Sequence, residues 1–350
     1  MPLRHIKDID VTGRKILVRV DFNVEVNKKT GTLHETFKIS AVKETIDYLL
    51  SKERTKVALI THYGRPEGKL DMKYSIAPLI PEIEKILGRK MHFVPECIGE
   101  EVVQGLEALP ENDLLMLENV RFHTEEETRD FHFSQELAKP FNLFVNDAFS
   151  VCHRNQASVT GVTLCLPSYG GFQMEREINN LDRIKRSPEH PAVAIVGGAK
   201  VETKLPLIQT LEKTYDWVLL GGKVANEAID LKIPFSLKVI LPIDFESTER
   251  LDIGPETIKL FKEKISGAQT IIWNGPMGKF EDIPYNHGTE AILQAMLETT
   301  AFTVVGGGES LAVIETLKCA NKISFVSTGG GAMLEYLSGK LLPGVEVLDH

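Results

Sequence analysis

The stretch Ala192-Val193-Ala194-Ile195-Val196-Gly197-Gly198-Ala199-Lys200 decides the fold. Five apolar residues with no polar alternation read as a strand buried on both faces, the pattern of a parallel sheet covered by helices. The two glycines then allow a tight turn, and Lys200 opens a helical pattern. Such a strand, turn and helix start presents free backbone N–H groups at a positive helix end, which attracts phosphate. One such loop is weak evidence, because glycines also serve ordinary turns. Four more follow: Gly221-Gly222-Lys223, Asn274-Gly275-Pro276-Met277-Gly278, Gly306-Gly307-Gly308 and Thr328-Gly329-Gly330-Gly331. Five in one half of a chain exceed what turns alone explain.

Similar apolar runs recur outward from this stretch. Ile16–Val20, Lys56–Ile60, Leu114–Leu117 and Leu143–Val145 precede it; Trp217–Leu220, Lys238–Leu241, Thr270–Trp273, Phe302–Val305 and Ile323–Val326 follow it. Strands alternating with helices predict an α/β protein with parallel sheets flanked by helices. Its 350 residues exceed one comfortable core, so two domains are expected. Glu175–Arg186 is polar apart from a stripe of Ile178, Leu181 and Ile184, which suggests a helix joining them. Prolines at 188 and 191 end it. The domains are therefore placed at 1–171 and 191–333, joined by a hinge helix over 172–190. Residues 334–350 are expected to fold back on the first domain.

Composition excludes several classes. The chain is 43% hydrophobic and 25% charged, which argues against disorder. No apolar run is long enough for a spanning helix, and the charged start MPLRHIKDID lacks a signal-peptide core. Cys97, Cys152, Cys165 and Cys319 form no C-x-x-C pair, as expected of reduced thiols in a cytoplasmic protein. A net charge of −9 argues against nucleic-acid binding, so any anion site must be a local concentration of cations.

The first half contains such a concentration. Its runs end in Asp21-Phe22-Asn23, in Thr61-His62-Tyr63-Gly64-Arg65-Pro66, in Asn119, Arg121 and His123, and in a loop bearing His153-Arg154. Ligands of parallel α/β sheets bind beyond the carboxyl ends of strands. Arginine forks suit carboxylate and phosphate oxygens. Any one arginine could instead cap a helix or pair with Glu125–Glu127; several at successive strand ends favour an anion pocket. In the second half Lys200 and Lys204 are placed to meet phosphates, and Glu309 after the triple glycine could hold Mg²⁺ or act as a helix N-terminal acid. Neither the P-loop nor the dinucleotide fingerprint occurs.

Taken in order, VRVDFNV, HYGRP, ENVRFH, VNDAF-x5-R, GGAKV-x2-K, LDIGP, WNGPMG-x-FE, GGGES and STGGGAMLEYL resemble the phosphoglycerate kinase family across nearly the whole chain. The resemblance implies two Rossmann-like domains, usually a monomer. It also implies reversible phosphoryl transfer between 1,3-bisphosphoglycerate with MgADP and 3-phosphoglycerate with MgATP. By matching motif it places Asp21, Asn23, Lys38, His62, Arg65, Arg121 and Arg154 in the phosphoglycerate pocket. It places Gly198, Ala199, Gly221, Gly254 and Pro276 at the nucleoside and Glu281 at the ribose. Lys200, Lys204 and Asn274 fall at the phosphates, and Gly307, Gly308, Glu309 and Ser310 at the Mg-nucleotide corner. Lys38, Lys200, Lys204, Gly307 and Gly330 carry the transfer in this scheme.

The chain departs from the family pattern in places. Lys38 stands where a catalytic arginine is usual, Lys279 where an apolar residue lies against the base, Thr203 for an Asp and Glu309 for an Asp. The segments around Ile233–Leu237 and Phe245–Arg250 are short. A relative that binds the anion as a sensor or scaffold without transfer is the alternative these departures raise.

Overall fold

The computed structural model describes residues 3–24, 26, 33 and 36–349. The chain divides into two compact units, Met1–Glu177 with Leu341–His350 and Ile178–Lys340.

The first unit is built on a six-stranded sheet: β1 (Lys15–Arg19), β2 (Lys56–Ile60), β3 (Met91–Val94), β4 (Leu114–Leu117), β5 (Leu143–Asn146) and β6 (Ser168–Gly170). Its order is β3-β4-β2-β1-β5-β6, with every pair parallel. The two-residue period of a strand sends neighbours to opposite faces. Ile16 and Val18 therefore pack with Ile39, Ile46, Leu49, Val57 and Leu59 in one layer. Leu17 packs with Ala58, Ile60, Leu115, Leu117 and Phe144 in the other. Fully burying each such larger aliphatic side chain is worth roughly 1.5–3 kcal/mol, which is why both faces are covered. Arg19, the one charged residue to end a strand here inside the core, is fully buried. Strands β3 and β6 were not expected. Both lie at sheet edges: β3 interrupts its apolar run with the half-buried His92, and Ser168-Tyr169-Gly170 has no apolar run at all.

The second unit contributes β7 (Ala192–Val196), β8 (Trp217–Leu220), β9 (Val239–Ile240), β10 (Phe245–Glu246), β11 (Asp252–Ile253), β12 (Thr270–Asn274), β13 (Phe302–Gly306) and β14 (Phe325–Ser327). Six form a parallel sheet in the order β14-β13-β12-β7-β8-β9. The remaining two, β10 and β11, pair antiparallel as a separate ribbon beside the parallel sheets that the sequence predicts. Two residues per strand leave no run for a sequence pattern to show.

The helix Phe172–Arg186 buries Met174, Ile178, Leu181 and Ile184. It stops just ahead of Ser187-Pro188, as the restriction before proline requires. The division between the units falls inside it, between Glu177 and Ile178. The last ten residues belong to the first unit: Gly344 N–H donates to Cys152 O at 2.9 Å, and Arg4 N–H to Leu348 O at 2.9 Å. A Cβ on Gly344 would sit 2.9 Å from the Cα of Cys152, so a larger residue would push this strap away. Among the described residues no helix is long and apolar enough to cross a membrane.

Candidate active site

In the first unit the residues after β1, β2, β4 and β5 meet at one edge. Asp21 accepts the N–H of Asn23 at 3.1 Å and the Ser150 hydroxyl at 2.5 Å. Asn23 Oδ1 accepts Gly64 N–H at 2.9 Å, which ties the end of β1 to the turn after β2. Lys38, on the short helix Phe37–Ala41, points its Nζ at Asn23 O, 3.4 Å away. His62 is buried, its Nδ1 4.0 Å from Asp21 Oδ1 and 3.2 Å from Arg19 Nη2. Arg121 is only 4% exposed; Nη1 donates to Gly64 O at 2.8 Å. Its Nε and Nη2 are enclosed without a hydrogen-bond acceptor among the described residues. Glu127, the partner considered from sequence, lies 3.6 Å from Nε, and its side chain is largely exposed. Arg154 is half-buried, and burial followed by the repulsion of Arg65 lowers its affinity for its proton, with Asp21 opposing. His62 is held well below the ordinary histidine range by burial first, then by Arg19, Arg154 and Lys38. Asp21, Asn23, Lys38, His62 and Arg121 are thus tied together at this edge, Arg154 lies within charge range of Asp21 and Arg65, and Arg65 itself lines a neighbouring cavity with residues 66–74. His123 is not among them: its Nε2 bonds Glu96 at 2.7 Å and its ring lies against Phe133.

In the second unit the glycine loops line two adjoining cavities. The larger, about 440 Å³, is bounded by Gly198, Ala199, Lys223, Pro276, Lys279 and Glu281 among others. That volume suits a nucleoside-sized ligand. The smaller, about 290 Å³, is lined by Lys204, Asn274, Gly307, Gly308, Ser310 and Gly330. Glu309 borders both. Close approach of backbone demands the glycines here. Gly275, at φ +87°, would place a Cβ 2.4 Å from the carbonyl of Gly197. Gly307, at φ +105°, would drive one to 2.6 Å from Asn274 Nδ2. Lys200 stands just before the helix Val201–Thr214 at φ +65°, a conformation that costs a non-glycine residue of order 1–3 kcal/mol. Lys200 and Gly221 line neither cavity; Gly221 packs against Met277 instead. Gly254 lies at the start of the helix Pro255–Ser266, where a Cβ would strike the Asp244 carboxylate.

Lys204 donates to Asn274 Oδ1, and burial pulls its pKa down to about 8 against the pull of Glu309. Asn274 Nδ2 donates to Gly306 O at 2.6 Å, and Ser310 accepts Gly275 N–H at 2.7 Å. The amide and hydroxyl thus hold the loops, leaving Lys204 and Glu309 as the charged groups. The Glu309 carboxylate fills a cradle above Gly198, whose Cβ would meet Oε2 at 2.8 Å. One carboxylate beside a phosphate-sized cleft fits Mg²⁺, which keeps most of its oxygen ligands as water and phosphate. Lys279 lines the larger cavity but pairs with Asp282 at 2.5 Å.

Sequence reasoning missed Arg19, whose signal was an arginine inside an otherwise apolar strand. It also missed Asn226, Arg250 and Leu251 on the wall of the larger cavity. Asn226 and Arg250 come from a helix and a loop that carry no motif, and Leu251, the first residue of LDIGP, was not singled out within it.

Two α/β units, one gathering arginines beyond the carboxyl ends of its strands and one with glycine-lined cavities, define a two-domain phosphotransferase. The phosphoglycerate kinase family model matches residues 6–232 and 238–340. The phosphoglycerate kinase of Moorella thermoacetica is 38% identical over 390 positions, covering 99% of this chain and 98% of its own. That of Rubrobacter xylanophilus is 40% identical over 392 positions, covering 100% and 99%. Among solved structures, phosphoglycerate kinase from Pyrococcus horikoshii OT3 superposes with a TM-score of 0.87 at 28% identity, covering 99% of this chain and 98% of that one. The enzyme from Coxiella burnetii gives 0.83 at 29%, covering 99% of each. The chain belongs to the phosphoglycerate kinase family, and its activity is that family's nucleotide-dependent phosphoryl transfer. An alignment of 390 positions against 350 residues leaves at least 40 gaps in this chain, and the family match itself breaks at 233–237.

Proposed function

We propose that the basic pocket of the first unit holds 3-phosphoglycerate or its acyl phosphate, and that the glycine-lined cavities of the second hold MgADP or MgATP. The observation that carries this reading is Arg121: a buried guanidinium with two donors and no acceptor is costly unless an anion completes it. Arg121, Arg65 and Arg154 would grip phosphate and carboxylate oxygens, with Asp21 and Asn23 accepting from the hydroxyl and His62 donating to an oxygen. Lys38 would meet the oxygens that exchange the phosphoryl group.

On the nucleotide side, Lys200 and Lys204 would bind phosphate oxygens, and the N–H groups of Gly307, Gly308 and Gly330 would face them. Gly198, Ala199 and Pro276, which line the larger cavity, are assigned to the nucleoside and Glu281 to the ribose, while Gly221 and Gly254 would shape its walls from behind through Met277 and Asp244. Glu309 would hold Mg²⁺, which when bound neutralises phosphate charge and orients the terminal group. An acyl phosphate is already a good donor, so no activated nucleophile or general base is needed. Catalysis then rests on aligning the reacting oxygens and on charge stabilisation.

Residues 172–190 are assigned as the helical connection between the two ligand-binding domains, 1–171 and 191–333; of the segment 334–350, the part from Leu341 on belongs to the first unit. A cytoplasmic setting fits the four unbridged cysteines, and a monomer is what the family resemblance implies. Thermal melts test the binding scheme. Both 3-phosphoglycerate and MgATP, added separately, should raise Tm, since ligands stabilise only the state they bind. A protein whose Tm responds to neither contradicts it.

A further inference from the structure

A buried chain of hydrogen bonds runs behind the anion pocket. Glu126, fully buried, accepts the Ser158 N–H at 2.8 Å and its hydroxyl at 2.7 Å. The Ser158 oxygen accepts Arg19 Nε at 3.0 Å. Arg19 spends Nη1 on the backbone oxygen of Val20 and directs Nη2 to His62 Nδ1 at 3.2 Å. The polarity of this chain is set at both ends. A carboxylate accepts, so the Ser158 hydrogen goes to Glu126. A guanidinium only donates, so the ring nitrogen facing it has to accept.

We infer that Arg19 is a positioning residue that fixes His62 as the neutral tautomer, bare at Nδ1 and protonated at Nε2. His62 then meets the ligand as a single N–H donor, and the pocket's affinity does not vary with the charge of this ring. Asp21 is the competing neighbour, because a protonated Nδ1 could turn to it. At 4.0 Å, however, it is beyond hydrogen-bond reach, and its oxygens already accept Asn23 N–H and the Ser150 hydroxyl. The other charges facing the ring, Arg154 and Lys38, are cations and also oppose an imidazolium. Among the described residues Nε2 has no partner, which leaves it for a ligand oxygen. The role in binding rests on the pocket assignment above; the tautomer does not.

The test is ¹⁵N NMR of the histidine rings in the full chain, with wild type, Arg19→Lys and the charge-balanced double variant Arg19→Met/Glu126→Gln. Wild-type His62 should show a bare Nδ1 and a protonated Nε2, with no titration between about pH 5 and 8. Arg19→Lys keeps a donor-only cation and should preserve this signature. The double variant should mix tautomers and titrate nearer the ordinary value of about 6.5. Its Kd for 3-phosphoglycerate, taken as a ratio to wild type so that the ligand's own titration cancels, should fall on the order of tenfold as pH drops through that range. A protonated Nδ1 in wild type overturns the proposal, as does a folded double variant with an unchanged tautomer and a flat ratio. Should the double variant not fold, wild type and Arg19→Lys decide alone. Absence of any 3-phosphoglycerate binding by wild type counts instead against the pocket assignment.

Discussion

Lys38 Nζ stands 3.4 Å from the backbone oxygen of Asn23, and Asn23 in turn holds the N–H of Gly64 through its side chain. A single ammonium is thereby committed, weakly, to the wall of the pocket it serves. It is a point charge where relatives are expected to present a planar fork, and it cannot bridge two oxygens side by side. Lys38→Arg should raise kcat about tenfold, about 1.4 kcal/mol of transition-state stabilisation, with little change in KM. Steady-state kinetics with both substrates varied would show it. An unchanged kcat would mean that the lysine is already compensated.

Lys204 carries a cost of burial. Its folded pKa of about 8 lies below the ordinary 10.5, so the unfolded chain binds more protons between those values. Stability therefore rises with pH across that window, and below it the native state bears the whole cost, up to about 3 kcal/mol. Lys204→Met should raise Tm at pH 7, with the gain shrinking above pH about 8, and should reduce transfer on the order of 10³-fold. Melting curves at a series of pH values would check the first part and kcat the second. A variant less stable than wild type at pH 7 would refute the burial argument.

Asp147 gives the opposite sign. It is fully buried at the start of the helix Phe172–Arg186, accepting Met174 N–H at 3.0 Å, and burial pushes its pKa up to about 6. The native state then binds more protons than the unfolded chain between about 4 and 6, so wild type loses stability as pH rises through that range, by up to about 3 kcal/mol. Asp147→Asn should remove this dependence. Urea denaturation at pH 4.5 and 7 would reveal a wild-type-to-variant difference that moves in favour of wild type at the lower pH.

Arg121→Met removes the two enclosed donors that have no acceptor among the described residues. The Kd for 3-phosphoglycerate should rise on the order of 100-fold, about 3 kcal/mol for two charge-assisted hydrogen bonds. The thermal shift with MgATP should be retained. Calorimetry with each ligand separates the two effects, and equal weakening of both would point to damage to the fold.

Strands with continuous apolar runs were legible, because burial on both faces leaves no room for polar alternation; β2, β4, β7 and β8 begin and end where expected. Edge strands β3 and β6 were not, since one side of each lacks a neighbour and tolerates polar residues. The anion pocket was legible because its residues follow strand ends directly, where parallel topology gathers them. What could not be read is support that comes from afar in sequence. Arg19 and Ser158 are 139 residues apart, and nothing local marks Glu126 as the buried member of three consecutive glutamates. Glycine loops were legible as a group but not one by one: Gly275 and Gly307 are demanded by backbone approach at the cleft, whereas Gly254 only makes room for Asp244.

This chain transfers a phosphoryl group with Lys38 in its basic pocket and a break in its family match at 233–237. The most direct measurement is ATP formation by the purified protein from 1,3-bisphosphoglycerate and MgADP in a coupled assay, run beside a full-length family member. Turnover whose kcat/KM falls on the order of 100-fold in Arg121→Met and whose kcat rises in Lys38→Arg is the predicted result. No ATP above background, while the family member turns over in the same mixture, would contradict it.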